Sequence, residues 1–151
     1  MSASDLHVTV ESRLRAVGQR YTPKRRTLVG VLERARKPLS IGEIVSGRTR
    51  LPQSSIYRNL AALEHAGVVR RVVTDEEFGR YELTEDLTEH HHHLICSNCG
   101  KVEDVTIPEP VESTVDATID RLARKSGFAE VSHRLDLIGT CSDCAAGTAG
   151  A

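Results

Sequence analysis

The chain has 151 residues, 39% of them hydrophobic, no Trp and a formal net charge of −1. That length allows one ordinary domain or two small ones, and the apolar runs are too short for a membrane span. The near-neutral total hides an asymmetry: residues 1–74 carry 14 Lys and Arg against 5 Asp and Glu, and residues 75–151 carry 6 against 16. The first half is therefore the one expected to meet a polyanion.

Residues 1–5 have neither a basic start nor an apolar core, so they read as a disordered tail and not as a secretion signal. A cytoplasmic location follows, where thiols stay reduced and metal binding is favoured over disulfides. Leu6, Val10, Leu14 and Val17 have helical spacing, and Gly18 ends that helix. Thr22-Pro23 starts a second helix, Thr as cap and Pro in the first turn, with Leu28, Val31, Leu32 and Ala35 on one face. Ser40 caps a short third helix holding Ile41, Ile44 and Val45. A fourth helix buries Ile56, Leu60 and Leu63 and stops at Gly67. Two strand-like runs, 68–74 and 78–84, follow around the acidic turn Asp75-Glu76-Glu77. Helices followed by a hairpin are the order of a winged helix-turn-helix.

The second half reads as strand Leu94–Ile95, a Cys96/Cys99 knuckle, strand 102–107, a helix over about 111–125 and an alternating strand over 131–138. In that last strand Val131, His133, Leu135 and Leu137 share a face. The predicted class is α+β: a winged-helix domain (6–84), a polar acidic hinge (85–89) and a small αβ metal-binding dimerisation domain (90–144), with flexible tails at 1–5 and 145–151.

A recognition helix must bury one stripe and offer small and polar groups to DNA. Gln53, Ser54, Ser55, Tyr57 and Arg58 are expected to point away from the Ile56/Leu60/Leu63 stripe. Arg20, Lys24, Arg25 and Arg26 are plausible phosphate contacts. The plainer reading of each of these residues is a solvated helix face, and of Tyr57 a packing residue.

All four cysteines lie in two CxxC pairs, Cys96/Cys99 and Cys141/Cys144. Four thiolates make a tetrahedral soft-ligand set suited to structural zinc, with no position left open for catalysis. A redox dithiol pair is the alternative, in a chain without thioredoxin-like context. Before the first knuckle stand His90, His91, His92 and His93. In an extended segment His91 and His93 face one way and His90 and His92 the other, so one strand can feed two metal sites. Acidic partners nearby are Glu82, Glu85, Asp86, Glu89, Asp104 and Asp116, and His133 is either a further ligand or a core histidine.

Taken together, these residues resemble the ferric uptake regulator (Fur) family of bacterial metal-responsive repressors, over roughly residues 8–144. Tyr21-Thr22-Pro23-Lys24-Arg25 is similar to the start of the family's second helix, and Ser55-Ile56-Tyr57-Arg58-Asn59-Leu60 to its recognition helix. The run His90 to Lys101, His133 and Gly139 to Cys144 complete its histidine–cysteine signature. The resemblance implies structural zinc on Cys96, Cys99, Cys141 and Cys144. It implies a regulatory hinge site on Glu82, His91, His93 and Asp104, and a dimerisation-domain site on His90, His92, Asp116 and His133. It further implies a homodimer that binds a double-stranded operator with a divalent corepressor, zinc favoured and iron next.

The chain departs from the family pattern at Lys37-Pro38, where iron regulators usually place a hinge histidine. It also departs at His92, often Asp in iron regulators, in lacking the Cys that zinc regulators often carry before the histidine run, and in a longer linker. A peroxide-sensing regulator and a constitutive DNA-binding protein with structural zinc only are the alternatives within reach. A zinc deaminase or hydrolase is disfavoured, because no His is followed two residues on by Glu and neither CxxC is preceded by Pro.

Overall fold

The computed structural model describes residues 3–47, 49–72, 79–88 and 90–147. Leu6, Val10 and Leu14 form the buried stripe of α1 (Ala3–Ala16). That helix starts ahead of Leu6, so residues 3–5 are helical where a disordered tail was expected. Helix α2 (Pro23–Ala35) is capped by Thr22, whose hydroxyl accepts from the Arg25 N–H at 3.4 Å, and it carries Pro23 in its first turn.

Two residues, Leu39–Ser40, make strand β1, which the sequence did not reveal because so short a strand has no periodicity. Ser40 also caps α3 (Ile41–Ser46) in a reciprocal box. Its hydroxyl accepts from the Glu43 N–H at 3.2 Å, and its own N–H donates to the Glu43 carboxylate at 2.8 Å. Ser40→Ala is expected to cost about 1 kcal/mol, read as a lower urea midpoint at unchanged slope.

Helix α4 (Gln53–His65) buries Ile56, Leu60 and Leu63 against α2 and α3. Strands β2 (Val69–Val72) and β3 (Arg80–Leu83) pair antiparallel, and β1 joins the other side of β3, giving the order β1-β3-β2. This is the winged helix-turn-helix arrangement. The expected turn at Asp75–Glu77, with Val73, Thr74 and Phe78, lies outside the described residues, as does Glu89.

After β3 the chain forms a 3-10 turn, Glu85–Leu87, and Leu87 is buried in the core of the first half. Arg13 on α1 ties the same segment down. It donates to the Gly67 carbonyl at 2.5 Å, to the Thr84 hydroxyl and to the Asp86 carboxylate. The segment read as a polar hinge is thus anchored to the winged helix as far as Leu87.

In the second half β4 (His92–Cys96) is central, flanked by antiparallel β5 (Val102–Val105) and parallel β6 (Asp136–Gly139). A parallel pair needs a crossover, and α5 (Glu109–Ser126) supplies it before ending at Gly127, whose φ of 77° is left-handed. A short α6 (Ser142–Ala145) follows, so Ala145 is helical and not tail. The expected strand over 131–138 is present only from Asp136, because residues 131–135 leave the ladder and His133 turns onto α5.

The two halves differ in core. One contiguous cluster runs from Leu6 to Leu87, whereas the second half contributes Ile95 and Val102, packed with Val72. Helix α5 has no buried residue in the single chain, and Leu122, Phe128 and Ile138 are largely exposed. Among the described residues no helix is long and apolar enough to cross a membrane.

Candidate metal centres

The parallel register of β4 and β6 sets Cys96 opposite Gly139, and this brings the two CxxC pairs together. Cys96 Sγ lies 3.8 Å from Cys144 Sγ, and Cys99 Sγ lies 3.7 Å from Cys141 Sγ. A tetrahedral site with Zn–S bonds of about 2.3 Å has sulfur–sulfur edges of about 3.8 Å, so the thiols already have the spacing of a zinc site. The Cys141 N–H donates to Cys96 Sγ at 3.3 Å. With the Cys99 N–H, it holds the Cys96 thiol below the usual thiol range.

A second cluster joins Glu82, His91, His93 and Asp104, with all candidate ligand atoms within 4.8 Å of one another. Glu82 comes from β3 in the first half. His91 precedes β4, His93 lies within it, and Asp104 sits opposite His93 on β5. Glu82 Oε2 is 3.3 Å from His91 Nε2 and 3.1 Å from His93 Nε2. Burial pushes the Glu82 carboxyl up, but hydrogen bonds from both imidazoles and the charges of His93 and Arg70 outweigh it and hold it at about 2. Burial instead dominates at Asp104 and raises its carboxyl.

Among the described residues the buried Asp104 Oδ1 has no hydrogen-bond partner, and Oδ2 is 3.9 Å from His91 Nε2. A buried acceptor left without a donor is costly, and a cation between these four groups would satisfy it. Nδ1 of His93 faces Asp136 at 3.1 Å. A carboxylate behind the imidazole is the usual way a ligand histidine is oriented. Asp136 escaped sequence reasoning because it lies far along the chain, on β6. The cluster opens onto a cavity of ~410 Å³ lined also by Leu32, Arg36 and Lys37.

A third cluster joins His90, His92, Glu112 and His133. Glu112 on α5 is 3.0 Å from both His90 Nε2 and His92 Nε2, and 2.8 Å from His133 Nε2. The cluster holds Glu112 at the place where the sequence reading put Asp116. That residue lies one helical turn further on, mostly exposed, and reaches only the outer nitrogen Nδ1 of His133, at 3.2 Å. Both acids share a face of α5, so helical spacing alone does not choose between them.

On the first half, Gln53, Ser54, Tyr57 and Arg58 of α4 are exposed, as are Arg20 and Lys24. Ser55 is buried instead, because it faces inward beside Ile56, and its carbonyl accepts from the Asn59 amide at 2.7 Å. Arg25 is engaged locally, donating to the Arg20 carbonyl at 2.6 Å and the Gln19 amide oxygen at 2.7 Å. Arg26 stacks over the Tyr21 ring at 4.6 Å.

The model of the Ferric uptake regulator family matches residues 16–138. The chain is 37% identical to the ferric uptake regulation protein of Neisseria meningitidis over 93 residues, 62% of this chain and 60% of that protein. It thus spans about three fifths of the length of these curated relatives. It is 31% identical to the ferric uptake regulation protein of Rhizobium leguminosarum over 140 residues, covering 90% of this chain and 94% of the relative. Among solved structures, the Helicobacter pylori ferric uptake regulator Fur, described as having three functional metal binding sites, superposes with a TM-score of 0.72 at 25% identity. That match covers 96% of this chain and 95% of the other. With the family's model matching most of its length, the chain belongs to the ferric uptake regulator family.

Proposed function

We propose that the protein is a homodimeric, metal-responsive transcriptional repressor, with the cluster of Glu82, His91, His93 and Asp104 as its regulatory site. One observation carries this reading: Glu82 belongs to the winged-helix half and the other three residues to the second half, yet they converge within 4.8 Å. A bound divalent cation would supply positive charge that is satisfied only while the two halves hold this arrangement, which is the condition for a corepressor. Two imidazoles and two carboxylates suit zinc and ferrous iron alike.

The exposed side chains of α4, with Arg20 and Lys24, face outward for a DNA groove and its phosphates. The uncovered apolar side chains of α5 and β6 are the surface expected to pair with a second copy. The four thiolates hold structural zinc.

A DNA-binding titration on protein retaining only its thiolate-bound zinc tests the proposal, with zinc, ferrous iron, manganese and nickel added in turn. Operator affinity is expected to rise with zinc or ferrous iron, and His91→Ala is expected to remove most of that rise. A His91→Ala protein whose DNA affinity stays fully metal-dependent would sink the hinge assignment. Wild-type affinity that is indifferent to every metal would point to a constitutive DNA-binding protein.

A further inference from the structure

Between the two histidine clusters lie Arg70 and Glu85, which belong to neither cluster and link them by ion pairs. Arg70 on β2, with a side chain only 16% exposed, sends its two arms to different carboxylates. Its Nε donates to Glu82 Oε1 at 2.5 Å and its Nη1 to Glu85 Oε1 at 2.6 Å. The second oxygen of Glu82 faces His91 and His93. The second oxygen of Glu85 lies 3.5 Å from His90 Nδ1, and His90 Nε2 in turn faces Glu112 at 3.0 Å. The path from Glu112 through His90, Glu85 and Arg70 to Glu82 is therefore continuous.

We propose that Arg70 and Glu85 are positioning residues that couple the two clusters, so that a divalent cation binds the hinge more tightly when the His90/His92/Glu112/His133 cluster is filled. The proposal rests on the hinge reading above. A neutral imidazole that uses Nε2 as a ligand carries its proton on Nδ1, and Nδ1 of His90 points at Glu85. Glu85, held from that side, fixes Nη1 of Arg70. The guanidinium is planar and rigid, so fixing one arm aims the other.

Nε then clasps Glu82 Oε1 and leaves Oε2 turned to His91 and His93. Arg70 and Glu82 are also directly opposite in the β2–β3 register, which shortens the link. Ordering the path for one cluster leaves less to order for the other, which makes the coupling positive. A lysine at 70 keeps the charge but lacks the fork that reaches both carboxylates.

The test uses the full-length protein with only its thiolate-bound zinc, titrated with Co(II) by calorimetry and visible absorption. The step lost in His91→Ala identifies the hinge. Hinge affinity is then compared in wild type, His133→Ala, Glu85→Gln and the double variant. Each single change is expected to weaken hinge binding roughly 5–10-fold, and the double no further. Arg70→Lys is expected to match Glu85→Gln. If Glu85→Gln leaves hinge affinity unchanged, strengthens it, or weakens it by the same factor with and without His133, the coupling is overturned. Should the Arg70 variant fail to fold, Glu85→Gln, isosteric and on a partly exposed turn, still decides the question. If His91→Ala leaves the number of bound Co(II) ions unchanged, it is the hinge reading that fails, a separate outcome.

Discussion

Cys99→Ser is expected to release one zinc per chain and to unfold the second half while the first half keeps its structure. The reason lies in the unequal cores. The first half buries a contiguous cluster from Leu6 to Leu87, while the second half has Ile95 and Val102 inside and a helix, α5, with no buried residue in the single chain. What closes β6 and α6 onto β4 is the thiolate set, together with the β4–β6 ladder that ends at Cys96 and Gly139. Structural zinc sites contribute on the order of 10 kcal/mol to folding, comparable to the whole stability of an ordinary domain.

Three measurements check the expectation. The wild type should bind one zinc per chain that resists mild chelation, and Cys99→Ser should lack it. Circular dichroism should show a separate, lowered transition for the second half. Sedimentation should show a monomer, because the apolar face of α5 and β6 is no longer presented in one piece. Full zinc retention with an unchanged melt would refute the structural role.

The second large effect is expected at Glu82. Its carboxylate is nearly buried and faces Arg70, His91 and His93 at once. Glu82→Ala leaves those groups without their shared counter-charge, and breaking a buried pair in this way costs about 3–5 kcal/mol. In the metal-free protein the same contacts give a pH signature. Glu82 is held at about 2, below its unfolded value, so its contribution is present above the ordinary carboxylate range and is lost as pH falls towards 2.

His93 behaves oppositely. Burial pushes it down, but the hydrogen bond and charge of Glu82 outweigh this and raise it. Its contribution is therefore complete below the ordinary histidine value of about 6.5 and is lost as pH rises through the raised one. Metal-free wild type is thus expected to gain most from this contact at about pH 4.5–6.5. Glu82→Ala should flatten the profile on both sides, seen in melting temperatures from pH 3 to 9. A variant profile parallel to the wild type would show that the contact contributes nothing.

Much of this was legible in the sequence, for reasons that differ by element. The helices of the winged half declared themselves through apolar spacing and caps such as Thr22 and Ser40, which are local signals. The four cysteines, all in two CxxC pairs, pointed to a tetrahedral soft-ligand set, with a redox dithiol pair as the alternative. The alternation of the histidine run separates His91 and His93 from His90 and His92 in an extended backbone, and the two clusters divide the run in that way although only His92 and His93 lie within β4. Other features depend on contacts distant in sequence. The pair of residues in β1 shows itself only through β3. Choosing Glu112 over Asp116 requires the position of α5 above β4. Arg70 and Glu85 follow no ligand spacing, and Asp136 is found only through the β4–β6 register.

Under the proposed function, the parallel return of β6 also governs when the protein becomes able to respond to metal. Two of the three clusters draw ligands from beyond residue 130, and in the third Asp136 orients His93. Domains made first on the ribosome fold first, so the winged helix is complete while these residues are still being synthesised. A nascent or C-terminally clipped chain would then present a DNA-reading surface with no means of being switched. One cut after α5 would abolish zinc retention and metal response together.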